Sequence, residues 1–271
     1  MKRTTARKLP YTILGIVFLL IMLFPIYWMA NTSLQSGAAA VNATFFPVNP
    51  TFAAYGQAIS EQLGNMGTSL LIAIGTVIFT LVVAAPAAYA MAKFRLRWVS
   101  VIMLALLISQ MIPGIVIANA LYSIYNNLGL LNSIPGLILA DTTTSIPFAI
   151  LILRAFMESI PPSLVEAARV DGAGHWRAFW SIVVPISKNA IITAGLFSFL
   201  FAWSDFVFAL TLTTSDTVRP VTLGIYNYLA ANVQSWAPVM ATATLASIPA
   251  IIFLVFAQRY ISAGALGGAV K

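Results

Sequence analysis

The chain has 271 residues, of which only 21 are charged, 8% against roughly a quarter in an average soluble protein. Hydrophobic residues make up 60% and mean hydropathy is +0.93, more apolar surface than a soluble fold of this length can bury. That composition excludes an ordinary cytosolic enzyme and a disordered chain. The net charge of +7 forms no patch of the kind that binds nucleic acid, and the absence of cysteine excludes a disulfide scaffold or a thiolate metal site.

The expected class is therefore an all-α, polytopic membrane protein. Long uncharged stretches separate the charges: 52 residues between Lys8 and Glu61, 31 between Glu61 and Lys93, 43 between Arg97 and Asp141, and 39 between Arg219 and Arg259. A spanning helix needs about 20 mostly apolar residues. Six spans fit, at 11–30, 68–92, 98–121, 134–157, 188–211 and 238–258, in one transmembrane domain covering residues 1–271. The runs are continuously apolar rather than alternating, which favours helices over a barrel. The first run is longer than a signal-peptide core of about 7–15 residues, so it reads as a retained span.

Orientation follows from the basic residues, which stay on the cytoplasmic side. With six spans both termini share a face, and that face holds Lys2, Arg3, Arg7, Lys8, Lys93, Arg95, Arg97, Arg169, Arg177, Lys188, Arg259 and Lys271, with Arg154 at its edge. The other face holds only Arg219. Both termini are thus expected in the cytoplasm. The loops are short, and no nucleotide-binding loop, HExxH motif or GxSxG elbow is found. The chain reads as a non-enzyme, and any ATP-driven movement requires hydrolysis by another subunit.

Polar residues inside apolar runs mark a candidate pathway: Gln110 and Asn119 in the third span, Asp141 in the fourth, and Trp203 and Asp205 in the fifth. Intramembrane acids are costly and usually face an interior or a cavity. Alternatively the helices end early and both acids lie in wet loops. Trp203 and Phe206 either face such a pathway or pack between helices. Pro86, Pro113, Pro147 and Pro249 fall inside four spans, consistent either with kinked helices around a path or with static packing.

Seven of the charges lie between Arg154 and Lys188. Pro161 and Pro162 interrupt any helix running in from the fourth span. Ser163-Leu164-Val165-Glu166 fits a capping box, Ala167 to Val170 continue a short helix, and Gly172 suits its C-terminal cap. A second short helix begins near His175 and Trp176, and Pro185 precedes the fifth span. The loop is expected to be a helix–turn–helix at the cytoplasmic surface, either an interfacial connector or a docking element.

Within it, EAARVDGAGHWRAFWSIVVP resembles the EAA loop of membrane subunits of binding-protein-dependent ABC importers. Glu166, Ala167, Ala168, Gly172, Ile182 and Pro185 match the family spacing, and Val184 replaces the usual leucine. The resemblance extends to FFPVNPTFAAYGQAI, NNLGLLNSIPGLILA and FAWSDFVFAL, the last with Ser204 in place of the usual asparagine, and to the tail QRYISAGALGGAVK. It is to the shorter, maltose-type carbohydrate permeases of the bacterial inner membrane. What it implies is an ABC type I importer fold; a heterodimer with a second permease; two ATPase subunits binding ATP and Mg; and an extracytoplasmic solute-binding protein. It implies ATPase coupling through Ser163, Leu164, Glu166, Ala167, Ala168, Asp171, Gly172 and Ala173, and a tail reaching toward the ATPases. Glu166 is expected either to pair with a basic group on the ATPase or to cap its own helix. The alternative function is a secondary transporter driven by an ion gradient, which requires ion-coordinating acids near the midplane.

Overall fold

The computed structural model describes residues 3–35, 44–94, 96–230 and 235–269. Among them there are helices and no strands. Lys2, Arg95 and Lys271 of the orientation argument lie outside the described residues, as do the side chains of the tail from residue 261 onward.

The helices are α1 (Arg3–Ser33), α2 (Ala53–Lys93), α3 (Val99–Ser109), α4 (Gly114–Leu128), α5 (Ile134–Ser159), α6 (Pro162–Val170), α7 (His175–Ala178), α8 (Val184–Ile186), α9 (Lys188–Trp203), α10 (Val207–Leu212), α11 (Val221–Ala230) and α12 (Ala237–Ala269), with a π-helical turn at Phe179–Val183. Four are long and apolar enough to cross a bilayer: Pro10–Ser33, Ala53–Lys93, Ile134–Ser159 and Ala237–Tyr260. Two bent pairs bring the number to six if each is one span: α3 with α4 at 95°, and His175–Ile186 with α9 at 80°.

Two expected spans therefore need correction. The third is not continuous over 98–121 but breaks between Ser109 and Gly114, where Pro113 has no amide hydrogen to extend the ladder. The fifth does not run over 188–211: it stops at Trp203 and resumes as α10 at Val207. Pro86, Pro147 and Pro249 lie inside continuous helices, so of the four prolines only Pro113 sits at a break. Helix α2 begins at Ala53, well before residue 68, and its added turns carry Gln57, Glu61 and Gln62.

The chain divides into two compact units. The first comprises residues 1–63 and 225–248. Small residues let its helices approach closely: Ala54, Ala58, Ala237 and Ala241 form its buried cluster, flanked by Tyr55 and Leu245. Polar bonds tie down the end of α1, with Ser33 Oγ 2.7 Å from Tyr55 Oη and Asn31 Nδ2 donating to the Thr44 carbonyl at 2.7 Å. Tyr228 Oη donates to Glu61 Oε2 at 2.6 Å.

The second unit comprises residues 64–224 and 249–271. Its largest core gathers Ala84, Ala88, Tyr89, Leu153, Met157, Val165, Phe179 and Val183 around the C-terminal ends of α2 and α5. A separate cluster of Ile72, Ala118, Tyr125, Leu137, Ala140, Phe208 and Leu212 holds α4, α5 and α10 together. Trp203 is buried in a third, its ring stacked on Phe199 at 5.6 Å and 12°. Much of the remaining apolar surface is exposed, as on α1 and α3, which is how lipid-facing or partner-facing helices read, being apolar all round.

Candidate functional site: an exposed loop and an acidic cavity

The loop after α5 is built by three local devices. Ile160 takes an extended conformation ahead of Pro161 and ends α5, as residues preceding proline do. Pro162 then opens α6 at its first position, where the missing amide hydrogen costs nothing. The helix therefore starts two residues earlier than the expected capping box: Pro161, not Ser163, is the N-cap, and no side chain caps it. Glu166 lies in the helix interior, exposed and without a hydrogen bond or ion pair among the described residues. The self-capping role is not the one it plays here.

At the other end the amide of Gly172 donates to the Arg169 carbonyl at 3.1 Å and that of Ala173 to Ala168 at 2.9 Å. That bond pair defines a Schellman cap, and Gly172 holds the left-handed conformation it requires, with φ +85°. The expected C-terminal cap is thus present in detail.

The loop's two faces differ. Val165 is buried at 8% exposure in the core with Met157, Ile160, Ala178 and Phe179. Phe179 packs against Tyr89 at 5.1 Å and Trp176 at 5.5 Å, and Lys93 Nζ donates to the Ile160 carbonyl at 2.5 Å. The outer face presents Ser163, Leu164, Glu166, Ala167, Asp171 and Gly172, while Ala168 and Ala173 are half-buried. Val170 is 87% exposed and Trp176 64%. His175 is exposed, edge-on to Phe94 at 4.9 Å.

The second candidate region is a cavity of about 410 Å³ lined by Gln110, Gly114, Asp141, Thr144, Phe201, Ser204, Asp205, Phe206, Val207 and Phe208. Both helix breaks open onto it: Gln110 and Gly114 flank the first, and Ser204 to Phe206 form the second. Asp141 lies within α5 and is 4% exposed, so for this acid the wet-loop alternative is excluded. Asp205 sits in the break itself. Its carboxylate accepts the amides of Phe208 at 3.2 Å and Ala209 at 3.0 Å, closing the first turn of α10. Gln110 Nε2 donates to the Thr144 carbonyl at 3.2 Å across the cavity wall. A smaller space of about 10 Å³ lies among Ser69, Leu137, Asp141, Asp205 and Pro220.

The structure thus brings together Gln110, Asp141 and Asp205 but not the other two pathway candidates. Asn119 is exposed on α4 and lines neither space, and Trp203 faces Phe199 in the core. Thr144, Ser204 and the aromatic wall of Phe201, Phe206 and Phe208 were not anticipated as a group. Ser204 and Phe206 flank Asp205 in sequence, but Thr144 and Phe201 are indistinguishable there from packing residues. Replacing Asp205 by alanine removes the acceptor from the first turn of α10 and is expected to cost about 1 kcal/mol. Asp205→Asn, which keeps one acceptor, should lose less, and thermal unfolding of the two variants in detergent checks the order.

The comparisons agree with this architecture. The family model of the binding-protein-dependent transport system inner membrane component matches residues 84–266. The chain is 33% identical over 256 residues to the trehalose transport system permease protein SugB of Mycobacterium tuberculosis, covering 92% of each chain. It is 32% identical over 253 residues to the sulfoquinovosyl glycerol transport system permease protein SmoH of Agrobacterium fabrum, covering 92% of this chain and 89% of the relative. A solved bacterial ABC transporter that imports the acidic polysaccharide alginate contains a chain of the same fold, with a TM-score of 0.78 at 24% identity, over 96% of this chain and 98% of that one. The chain belongs to the family of binding-protein-dependent transport system inner membrane components. It is a multi-helix membrane permease of the ABC importer class.

Proposed function

We propose that the chain is one permease of a heteromeric, ATP-driven sugar importer, that it forms half of the translocation pathway, and that it is moved by a separate ATPase gripping the loop at residues 163–173. The observation that carries this reading is the two-faced construction of that loop. Its inner face is wedged into the core through Val165 and Phe179, while its outer face leaves Glu166, Ala167 and Gly172 open. A rigid short helix with small residues on its free side suits a groove on a partner, and the buried anchor lets force applied there reach α5 and α9. Sugar as the solute class is supported by relatives named for trehalose, sulfoquinovosyl glycerol and diacetylchitobiose transport.

In this reading the whole chain is one permease domain with six spans and both termini in the cytoplasm. ATP and Mg are bound by two ATPase subunits, and a solute-binding protein delivers substrate from outside. ATP binding shifts the pair of permeases between inward- and outward-facing states, which requires that the ATPases bind the two states with different affinity. Gln110, Asp141 and Asp205 lie on the pathway.

The chain contains no cysteine, so Ala167→Cys provides a single crosslinking site. With the neighbouring transport subunits co-expressed, bismaleimide crosslinks from residue 167 should reach the nucleotide hydrolase, and trehalose uptake into proteoliposomes should require ATP inside the compartment that holds the hydrolase. Crosslinks that never reach a hydrolase overturn the docking reading. Uptake that collapses with the ion gradient and ignores ATP establishes the secondary transporter instead.

A further inference from the structure

We propose that the cavity at the two helix breaks is a sugar subsite that admits uncharged glycosyl units and rejects anionic ones, with Asp141 and Asp205 as the selecting residues. This rests on the importer reading and adds to it the charge class of the solute. That class does not follow from kinship, because the family contains members named for both kinds of solute: trehalose is neutral and sulfoquinovosyl glycerol carries a sulfonate.

The cavity's chemistry decides the sign. About 410 Å³ falls in the usual range of roughly 300–1,000 Å³ for small-molecule sites. One wall is aromatic, lined by Phe201, Phe206 and the largely buried Phe208, and suits the C–H side of a pyranose ring. The opposite contribution is polar: Asp141, Thr144, Ser204, Asp205 and Gln110, with no lysine, arginine or histidine among the lining residues. Asp141 is 96% buried by its 4% exposure, and no hydrogen bond reaches its carboxyl group among the described residues, although its backbone carbonyl accepts from Thr144 Oγ1 and Ser145 Oγ. A buried acid without a donor is costly, so the site favours a ligand that brings donors. Sugar hydroxyls do that.

An anion meets the opposite conditions. The amides at the start of α10 are its natural ligands, and Asp205 already occupies those of Phe208 and Ala209. The remaining attraction is the start of α4 at Gly114, equivalent to roughly half a positive charge. Against it stand two acids, either of which repels an anion when ionised. Were either acid protonated, the cavity would gain a donor but still no positive charge. Because Asp141 is buried, added salt screens its repulsion only weakly.

The test compares two ligands that differ only at C6, methyl α-glucoside and methyl α-glucuronide. Binding is measured by saturation-transfer NMR on the chain co-purified with its partner permease and ATPases, in zwitterionic nanodiscs without the binding protein. The glucoside should bind, and the glucuronide should bind at least about tenfold more weakly at both low and high salt. The double variant Asp141→Asn with Asp205→Asn should bring the two ligands within about threefold of each other, while Asp141→Glu, which keeps the charge, should preserve the gap. Equal binding of both ligands to the wild type overturns the proposal, as does a gap unchanged in the double variant, or failure of both ligands to bind. If the double variant does not assemble, the wild-type comparison and Asp141→Glu still decide. ATP-driven trehalose uptake by the same complex reconstituted with its binding protein into proteoliposomes separates the two levels: uptake without discrimination defeats this inference alone, whereas loss of ATP dependence defeats the importer reading beneath it.

Discussion

Glu166→Lys is expected to reduce ATP-driven solute uptake by about two orders of magnitude, the equivalent of about 2.7 kcal/mol, while leaving the chain folded and inserted. The separation of the two effects is what makes the variant informative. Glu166 is exposed and makes no hydrogen bond or ion pair among the described residues, so its replacement breaks no polar contact of the folded chain. A basic partner facing it across an interface meets a like charge instead of an opposite one. Gly172→Asp works differently. A Cβ at residue 172 meets nothing within 4 Å, but φ is +85°, so the strain is in the backbone and amounts to about 1–2 kcal/mol. Its effect on uptake comes from adding a charged side chain to an open docking face. ATPase co-purification and uptake, measured side by side, check both. If Glu166→Lys transports at the wild-type rate, the outer face of α6 is not where force enters the permease.

The same loop shows what a sequence can and cannot disclose. Its helix–turn–helix form follows from two prolines and a glycine whose backbone demands are local, and the structure keeps both the stop at Ile160 and the Schellman cap at Gly172. The helix start was misplaced by two residues because serine and proline both favour a helix beginning, and Pro162 at the first position prevailed over Ser163 as a cap. The spans were legible because charge is so expensive in a bilayer that its absence over 30 residues leaves few alternatives. The breaks were not legible, since apolarity is insensitive to whether a helix is continuous. Pro113-Gly114 and Ser204-Asp205 are the signals that mark them: a turn dipeptide, and a polar pair able to cap a new helix. The N-terminal extension of α2 was hidden for the opposite reason. Glu61 and its polar neighbours end an apolar run without ending a helix.

The largest loss of stability is expected at a glycine that neither charge nor apolarity marks. Gly136 lies in the first turn of α5, where its amide donates to Ser133 Oγ at 3.1 Å and that hydroxyl donates to the Leu130 carbonyl at 2.7 Å. The connection from α4 folds back tightly through Gly129, in the left-handed conformation, onto this turn. A Cβ at residue 136 would stand 2.2 Å from the Leu130 carbonyl oxygen and 2.9 Å from Ser133 Oγ. The first of these is backbone and cannot swing aside, so the turn must open and the cap of α5 is lost with it. Gly136→Ala should therefore destabilise the chain by about 2–4 kcal/mol, the sum of a cap and an overpacking strain. Gly64→Ala on α2, where a Cβ meets nothing within 4 Å, should instead be neutral or slightly stabilising through helix propensity. Thermal unfolding of the two variants in the same detergent makes the comparison. The displacement also bears on function, because Asp141 lies five residues further along α5 and its position in the cavity depends on where that helix begins. A Gly136→Ala variant that melts with the wild type and still distinguishes neutral from anionic glycosides would show that the tight α4–α5 connection neither stabilises the fold nor positions the acid.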